Sequence, residues 1–172
     1  MDHGRDRGLD TGRVVLGGMS SGGHLALLTG MAADLPGTPD QDPGHTVPPA
    51  RAAAIVSWFG ISDVAALLQG ERPRAYARRW IGDGPHALPL ARQLSPLYFI
   101  GPDTPPVVSV HGDQDATVPF EQSLRLHEAL DSASVPNRLF TATGGGHGDF
   151  TEDVWARAYR SVLDFLQDQL GF

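Results

Sequence analysis

Apolar residues fall in four short runs along the chain, separated by longer stretches of mixed character. The runs are Val14-Val15-Leu16, Ala52 to Trp58, Val107-Val108-Ser109-Val110-His111, and Arg138-Leu139-Phe140-Thr141-Ala142. Runs this short and rich in β-branched residues predict strands. Leu25-Ala26-Leu27-Leu28 reads as the start of a helix running to about Ala33, before Pro36 and Pro39 stop it. A short helix is expected from Val64 to Gln69, capped by Ser62 or Asp63. Another should run from Pro119, whose fixed φ suits a first helical turn, to about Ala133. From about Glu152 the apolar residues Val154, Ala158, Val162, Phe165, Leu166 and Leu170 recur at near-helical spacing. Thr151 is the expected N-cap of that last helix. Strands alternating with helices predict an α/β fold, a mostly parallel sheet with helices on both faces.

Three stretches fall outside this alternation. Residues 1–12 are polar and dotted with glycine, and residues 34–49 are rich in Pro, Gly and Asp, as a surface loop would be. Residues 70–106 carry seven of the 14 prolines and are the least regular part. There Arg72, Arg74, Arg78 and Arg79 surround Tyr76 and Trp80. A solvated helical excursion is one reading of this stretch, and a lid over a substrate entry is the other.

Composition narrows the class. A chain of 172 residues with 41% hydrophobic and 19% charged residues suits one soluble globular domain. A net charge of −7 argues against nucleic acid or an anionic membrane as partner. With no cysteine, disulfides and thiolate metal sites are excluded. The charged start, Met1 to Arg7, lacks the apolar core of a signal peptide, and no run reaches about 18 apolar residues. A cytoplasmic location is the expectation.

The chemistry concentrates after three of the strands. Gly18-Met19-Ser20-Ser21-Gly22 is a Gly-x-Ser-x-Gly pattern between a predicted strand and a predicted helix, the setting of a nucleophile elbow. With 21 glycines a chance match is a real risk, so position matters more than pattern. A serine hydroxyl needs a histidine to take its proton and a carboxylate to orient that histidine. In a parallel sheet these belong on loops past the carboxyl ends of strands. The third run ends in His111-Gly112-Asp113-Gln114-Asp115, and either aspartate could orient the base. Asp113 also suits a plain turn role, while Asp115, further out, has more freedom to reach. The fourth run ends in Gly144-Gly145-Gly146-His147-Gly148, which puts His147 on exposed, close-turning backbone. Its glycines match neither a P-loop nor a dinucleotide fingerprint. His24 and His127 fall on predicted helices and read as structural, and His3, His45 and His86 sit in polar, irregular segments. No histidine or carboxylate cluster has metal-ligand spacing, so neither metal nor cofactor is expected. Tyr76, Trp80, Trp58 and Phe59 could line a pocket, although aromatic residues more often fill cores.

Taken together, Gly18 to Ala26, Ser95-Pro96, Pro105-Pro106 through Asp115, Val118-Pro119 and Gly145-Gly146-His147-Gly148 resemble the C-terminal part of an α/β-hydrolase. The branch is that of hormone-sensitive-lipase-like and carbohydrate-esterase-like esterases. The resemblance implies Ser20 as nucleophile, Asp115 as acid, His147 as general base, and the Ser21 backbone N–H as an oxyanion donor. It implies a small ester as substrate and no cofactor. The family also carries strands before the elbow and a His-Gly-Gly loop with the second oxyanion donor, and only about a dozen residues stand there. That departure predicts a bare edge on the elbow strand and leaves several readings open. One is a partial hydrolase domain over 1–172, cut from a longer gene. Another completes its site as a homodimer through that edge, and a third is an inactive half-hydrolase serving as an interaction module. A peptidase of the prolyl-oligopeptidase type, with a similar C-terminal domain, is the alternative enzyme.

Overall fold

The computed structural model describes residues 4, 6–32, 51–69 and 74–172. The loop expected at 34–49 and Arg72, His3 and His45 lie outside the described residues, and the first helix, expected to reach about Ala33, ends at Met31 with its cap at Ala32. Four parallel strands, β1 (Val15–Met19), β2 (Ala54–Trp58), β3 (Val107–Gly112) and β4 (Asn137–Ala142), form one sheet in that spatial order. Helix α1 (Ser21–Met31) follows β1, and α2 (Val64–Leu68), α3 (Ala75–Ile81) and α4 (Ala87–Gln93) follow β2 with a 3₁₀ turn at Pro96–Phe99. Helix α5 (Glu121–Ser132) joins β3 to β4, and α6 (Glu152–Leu170) closes the chain.

Every residue of β2 and β3 is buried, because both have a strand on either side and helices above and below. Their side chains alternate between two cores. Ile55 and Val107 meet Ala26 and Leu27 of α1 and Leu126 and Leu130 of α5. Val56, Trp58, Val108 and Val110 meet Ala158, Val162 and Phe165 of α6. Burial of that kind is worth roughly 25 cal/mol per Å² of apolar surface. β1 differs: it pairs only with β2 among the described residues, and its side chains are half-buried or exposed.

Three element boundaries depart from the sequence expectation. α1 begins at Ser21, four residues before its apolar run, and passes through Gly22-Gly23, poor helix formers that hide the start. α5 begins at Glu121 instead of Pro119, whose carbonyl accepts from the Gln122 N–H in the preceding turn. The stretch read as least regular holds α3 and α4, seven residues each, with one buried residue apiece, Ala77 and Ala91. Pro89 falls in the first turn of α4, where no N–H is needed, so it does not break the helix. Ala77 and Ala91 join Val64, Leu67 and Val118 in a third, small core. Both predicted side-chain caps form: Asp63 accepts from the Ala66 N–H at 2.9 Å, and Thr151 from that of Val154 at 3.4 Å.

Candidate active site

β1 turns into α1 at Ser20, which takes φ 53° and ψ −118°, left-handed backbone that a side chain adopts only under constraint. The constraint is visible on both sides. Its N–H donates to the Trp58 carbonyl at 2.8 Å, and its own carbonyl accepts from His24 N–H at 3.0 Å. A Cβ on Gly18 would run into the Gly22 backbone, so strand and helix approach more closely than any side chain permits. Ser20 is the N-cap of α1, yet its hydroxyl makes no capping bond. That oxygen lies instead 2.9 Å from His147 Nε2.

His147 arrives on the loop after β4. A Cβ at Gly112, the last residue of β3, would strike the carbonyls of Gly145 and Gly146, so the two loops lie against each other. The Gln114 N–H donates to Gly145 O at 2.9 Å and ties them together. Asp113 accepts from the Gly144 N–H at 2.7 Å and so bonds the β4 loop backbone. The His147 ring stands edge-on to Phe59, with centroids 4.7 Å apart. Gly148, at φ +83°, passes beside the tip of the same ring.

Asp115 reaches the other ring nitrogen, with Oδ2 2.7 Å from His147 Nδ1. Its second oxygen, Oδ1, accepts from the N–H groups of Thr117 and Val118, both at 2.8 Å. An imidazole held between a hydroxyl and a carboxylate can accept the hydroxyl proton while the carboxylate stabilises the resulting charge. The structure therefore brings Ser20, His147 and Asp115 into one hydrogen-bonded chain from three strand ends. Ser21 opens α1, so its N–H belongs to the helix's unpaired first turn beside Ser20.

Of the other singled-out residues, Phe59 is buried and backs the His147 ring, while Trp58 is buried in the sheet core near Trp155 and Tyr159 of α6. Tyr76 donates its hydroxyl to Thr117 O at 3.2 Å, and Arg74 donates to Ala116 O at 2.8 Å. Both therefore grip the loop that carries Asp115. Half-exposed Trp80 meets His24 of α1 edge-to-face at 5.3 Å. Burial holds the His24, His111 and His127 imidazoles below their usual range, and raises the Tyr76 phenol. His86 precedes α4 at the surface.

Sequence reasoning missed His111. Read only as the end of a strand, it proves fully buried, with Nε2 3.3 Å from Asp115 Oδ2. The available signal was a titratable residue on a strand otherwise built of valine and serine, four positions before the aspartate. Among the described residues no group of three or more His, Asp or Glu side chains could hold a metal ion. No described helix is long and apolar enough to cross a membrane.

Residues 1–130 match the BD-FAE family. Esterase LipQ of Mycobacterium tuberculosis is 26% identical over 172 residues, covering 96% of this chain and 39% of that protein. The probable carboxylic ester hydrolase LipM of the same organism is 30% identical over 136 residues, 77% of this chain and 31% of that protein. A thermophilic esterase from Thermogutta terrifontis superposes with a TM-score of 0.72 at 29% identity, covering 97% of this chain and 59% of that one. A puromycin-hydrolyzing peptidase of Mycobacterium tuberculosis gives 0.77 at 26% identity, over 99% of this chain and 24% of that one. The chain thus spans between three and four tenths of the length of these curated esterase relatives.

Proposed function

The chain belongs to the BD-FAE family of esterase-type α/β-hydrolases, and on that premise we propose that it cleaves carboxylic esters through an acyl-enzyme on Ser20. The observation that carries the reading is the unbroken chain from Ser20 Oγ through His147 to Asp115, at 2.9 and 2.7 Å. Ser20 Oγ attacks the ester carbonyl and its proton passes to His147 Nε2. The Ser21 N–H, at the positive end of α1, faces the oxyanion of the tetrahedral intermediate. His147 then protonates the departing alcohol, leaving the acyl group on Ser20. Water, deprotonated by the same nitrogen, attacks the acyl carbon, and the acid leaves as Ser20 regains its proton. Asp115 keeps Nδ1 protonated and stabilises the imidazolium throughout. A fluorophosphonate probe should label Ser20, and Ser20→Ala should abolish the labelling. An unlabelled protein, or labelling that survives the substitution, would refute the mechanism.

A second reading, peptide hydrolysis by the same three residues, draws on a different relative. The acylamino-acid-releasing enzyme of Mus musculus is 27% identical over 117 residues, 68% of this chain and 16% of that protein. Short p-nitrophenyl esters against aminoacyl p-nitroanilides separate the two: turnover of esters alone favours the first.

A further inference from the structure

We infer that His111 is a positioning residue for the Asp115–His147 pair, supplying an Nε2–H to the carboxylate from the buried side of the loop. The inference rests on the acyl-enzyme reading, in which Asp115 orients the base. His111 Nε2 faces two acceptors, Val118 O at 3.0 Å and Asp115 Oδ2 at 3.3 Å, so that nitrogen carries a proton. Nδ1 lies 2.7 Å from Ser123 Oγ at the start of α5. The side chain is fully buried, which favours the neutral ring, and a neutral ring with Nε2–H leaves a lone pair on Nδ1. The Ser123 hydroxyl therefore donates to it. Proton direction is set from Ser123 through His111 to Asp115, and the opposite tautomer would point a lone pair at a carboxylate and a carbonyl. Desolvation also holds the His111 imidazole below its usual range, which favours the uncharged ring.

Asp115 accepts three hydrogen bonds, from Thr117 and Val118 N–H on Oδ1 and from His147 on Oδ2, and His111 Nε2, bonded to Val118 O at 3.0 Å, adds a longer contact to Oδ2 at 3.3 Å. Three hydrogen bonds and the His111 contact together fix the carboxylate's rotation. The His111 share also withdraws charge from Oδ2, making Asp115 a weaker partner for the His147 imidazolium than an unshared carboxylate would be. The other ionisable groups facing this cluster are few. Tyr76 feels the Asp115 charge, and Arg74 is bonded to Ala116 in the same loop. Asp113 is turned to Gly144, and Asp149 lies under Gly146.

The seven histidines make long-range ¹H–¹⁵N correlation spectra a direct test. His111 should keep a single proton, on Nε2, when the pH is brought down from 8 to the ordinary imidazole value of 6.5, as a buried neutral ring does. In His111→Phe the freed carboxylate should hold the imidazolium more tightly, moving the His147 titration midpoint up by about half a pH unit. A merely structural role predicts the reverse, since a loosened Asp115 would let the imidazolium go at lower pH. His111→Gln, whose amide nitrogen reaches near the Nε2 position, should restore the wild-type midpoint. A proton on Nδ1 of His111, or an unmoved or lowered midpoint in His111→Phe, would overturn the inference. If His111→Phe loses its cooperative melting, the wild-type tautomer and the His111→Gln midpoint decide, and a midpoint shifted in the latter counts against. None of these signals needs turnover. A Ser20 that takes no fluorophosphonate sinks the hydrolase reading and leaves the His111 result standing on its own.

Discussion

The turn after β1 and the loops after β3 and β4 hold their parts of the site by different means. Ser20 is placed by backbone constraint: left-handed φ, a glycine on either side, and two main-chain bonds. Asp115 and His147 are placed by side-chain hydrogen bonds over a sheet region in which every β3 residue is buried. Among the described residues Ser20 thus follows a strand with one paired edge, as His147 does after β4, while Asp115 follows β3, which is paired on both sides and fully buried. Strain can be held at such an edge only where close packing makes the relaxed alternative inaccessible. The close approach of Gly18 to the Gly22 backbone does that on the side where β1 meets α1.

The largest expected effect comes from breaking the hydrogen-bonded side alone. Asp115→Asn keeps the shape but presents an N–H₂ to His147 Nδ1, forcing the wrong tautomer, and should lower kcat by about 10⁴-fold. Stopped-flow acylation or the rate of fluorophosphonate labelling measures it. A loss under tenfold would mean that backbone placement of Ser20 and His147 suffices, and the contrast between the two regions would fail.

Acid should act on the same side first. His111 and His127 belong to the β3–α5–β4 region, and His24 to α1. All three sit below the ordinary imidazole value of 6.5 because burial disfavours their charged form. Unfolded chains therefore bind protons that the native state refuses, so stability present above pH 6.5 is lost as the pH falls below it. The slope should approach about 1.4 kcal/mol per pH unit for each such histidine. Urea unfolding from pH 7.5 to 5.5 reads it, and amide exchange should show β3 and β4 losing protection. A flat profile would refute this assignment.

Legibility in the sequence divides along the same line. β2 and β3 were plain because burial on both faces leaves a continuous apolar run, and α6 because one face alone is buried. Boundaries failed where packing, not propensity, decides: α1 winds through two glycines because Gly23 lies against Gly18 O and Gly60. α3 and α4 bury one alanine each, which leaves no periodicity to read. At the site, the elbow was legible since its glycines are a steric requirement. The direction of Asp113 toward Gly144 and of Asp115 toward His147 was not, because it depends on how two loops meet across Gly112. His111 escaped for a related reason: a strand pattern says which face a residue takes, not which loop folds over it.

Equivalent truncations in the two strands sharpen the contrast further. Val108→Ala in β3 removes fully buried methyl groups and should cost about 2 kcal/mol. Val15→Ala in half-buried β1 should cost less than about 1 kcal/mol by the same reasoning. Equal losses would mean that β1 is covered in solution. A homodimer through its free edge is the proposal that light scattering would then support, by a mass twice that of one chain.

The smallest effect concerns what the α3–α4 excursion does, since it touches both regions. Arg74 and Tyr76 bond Ala116 O and Thr117 O on the loop that carries Asp115, the proposed acid, while Trp80 packs on His24 of α1. If the acid loop depends on added hydrogen bonds, Arg74→Ala should slow labelling of Ser20 by about threefold, the loss of one exposed charge-assisted bond. Trp80→Ala should leave the rate unchanged, because Ser20 is held by its own backbone. The reverse pattern, an effect from Trp80 and none from Arg74, would mean that the excursion steadies the nucleophile. The elbow would then depend on outside support just as the acid does, and the division between a strained region and a bonded one would no longer describe the site.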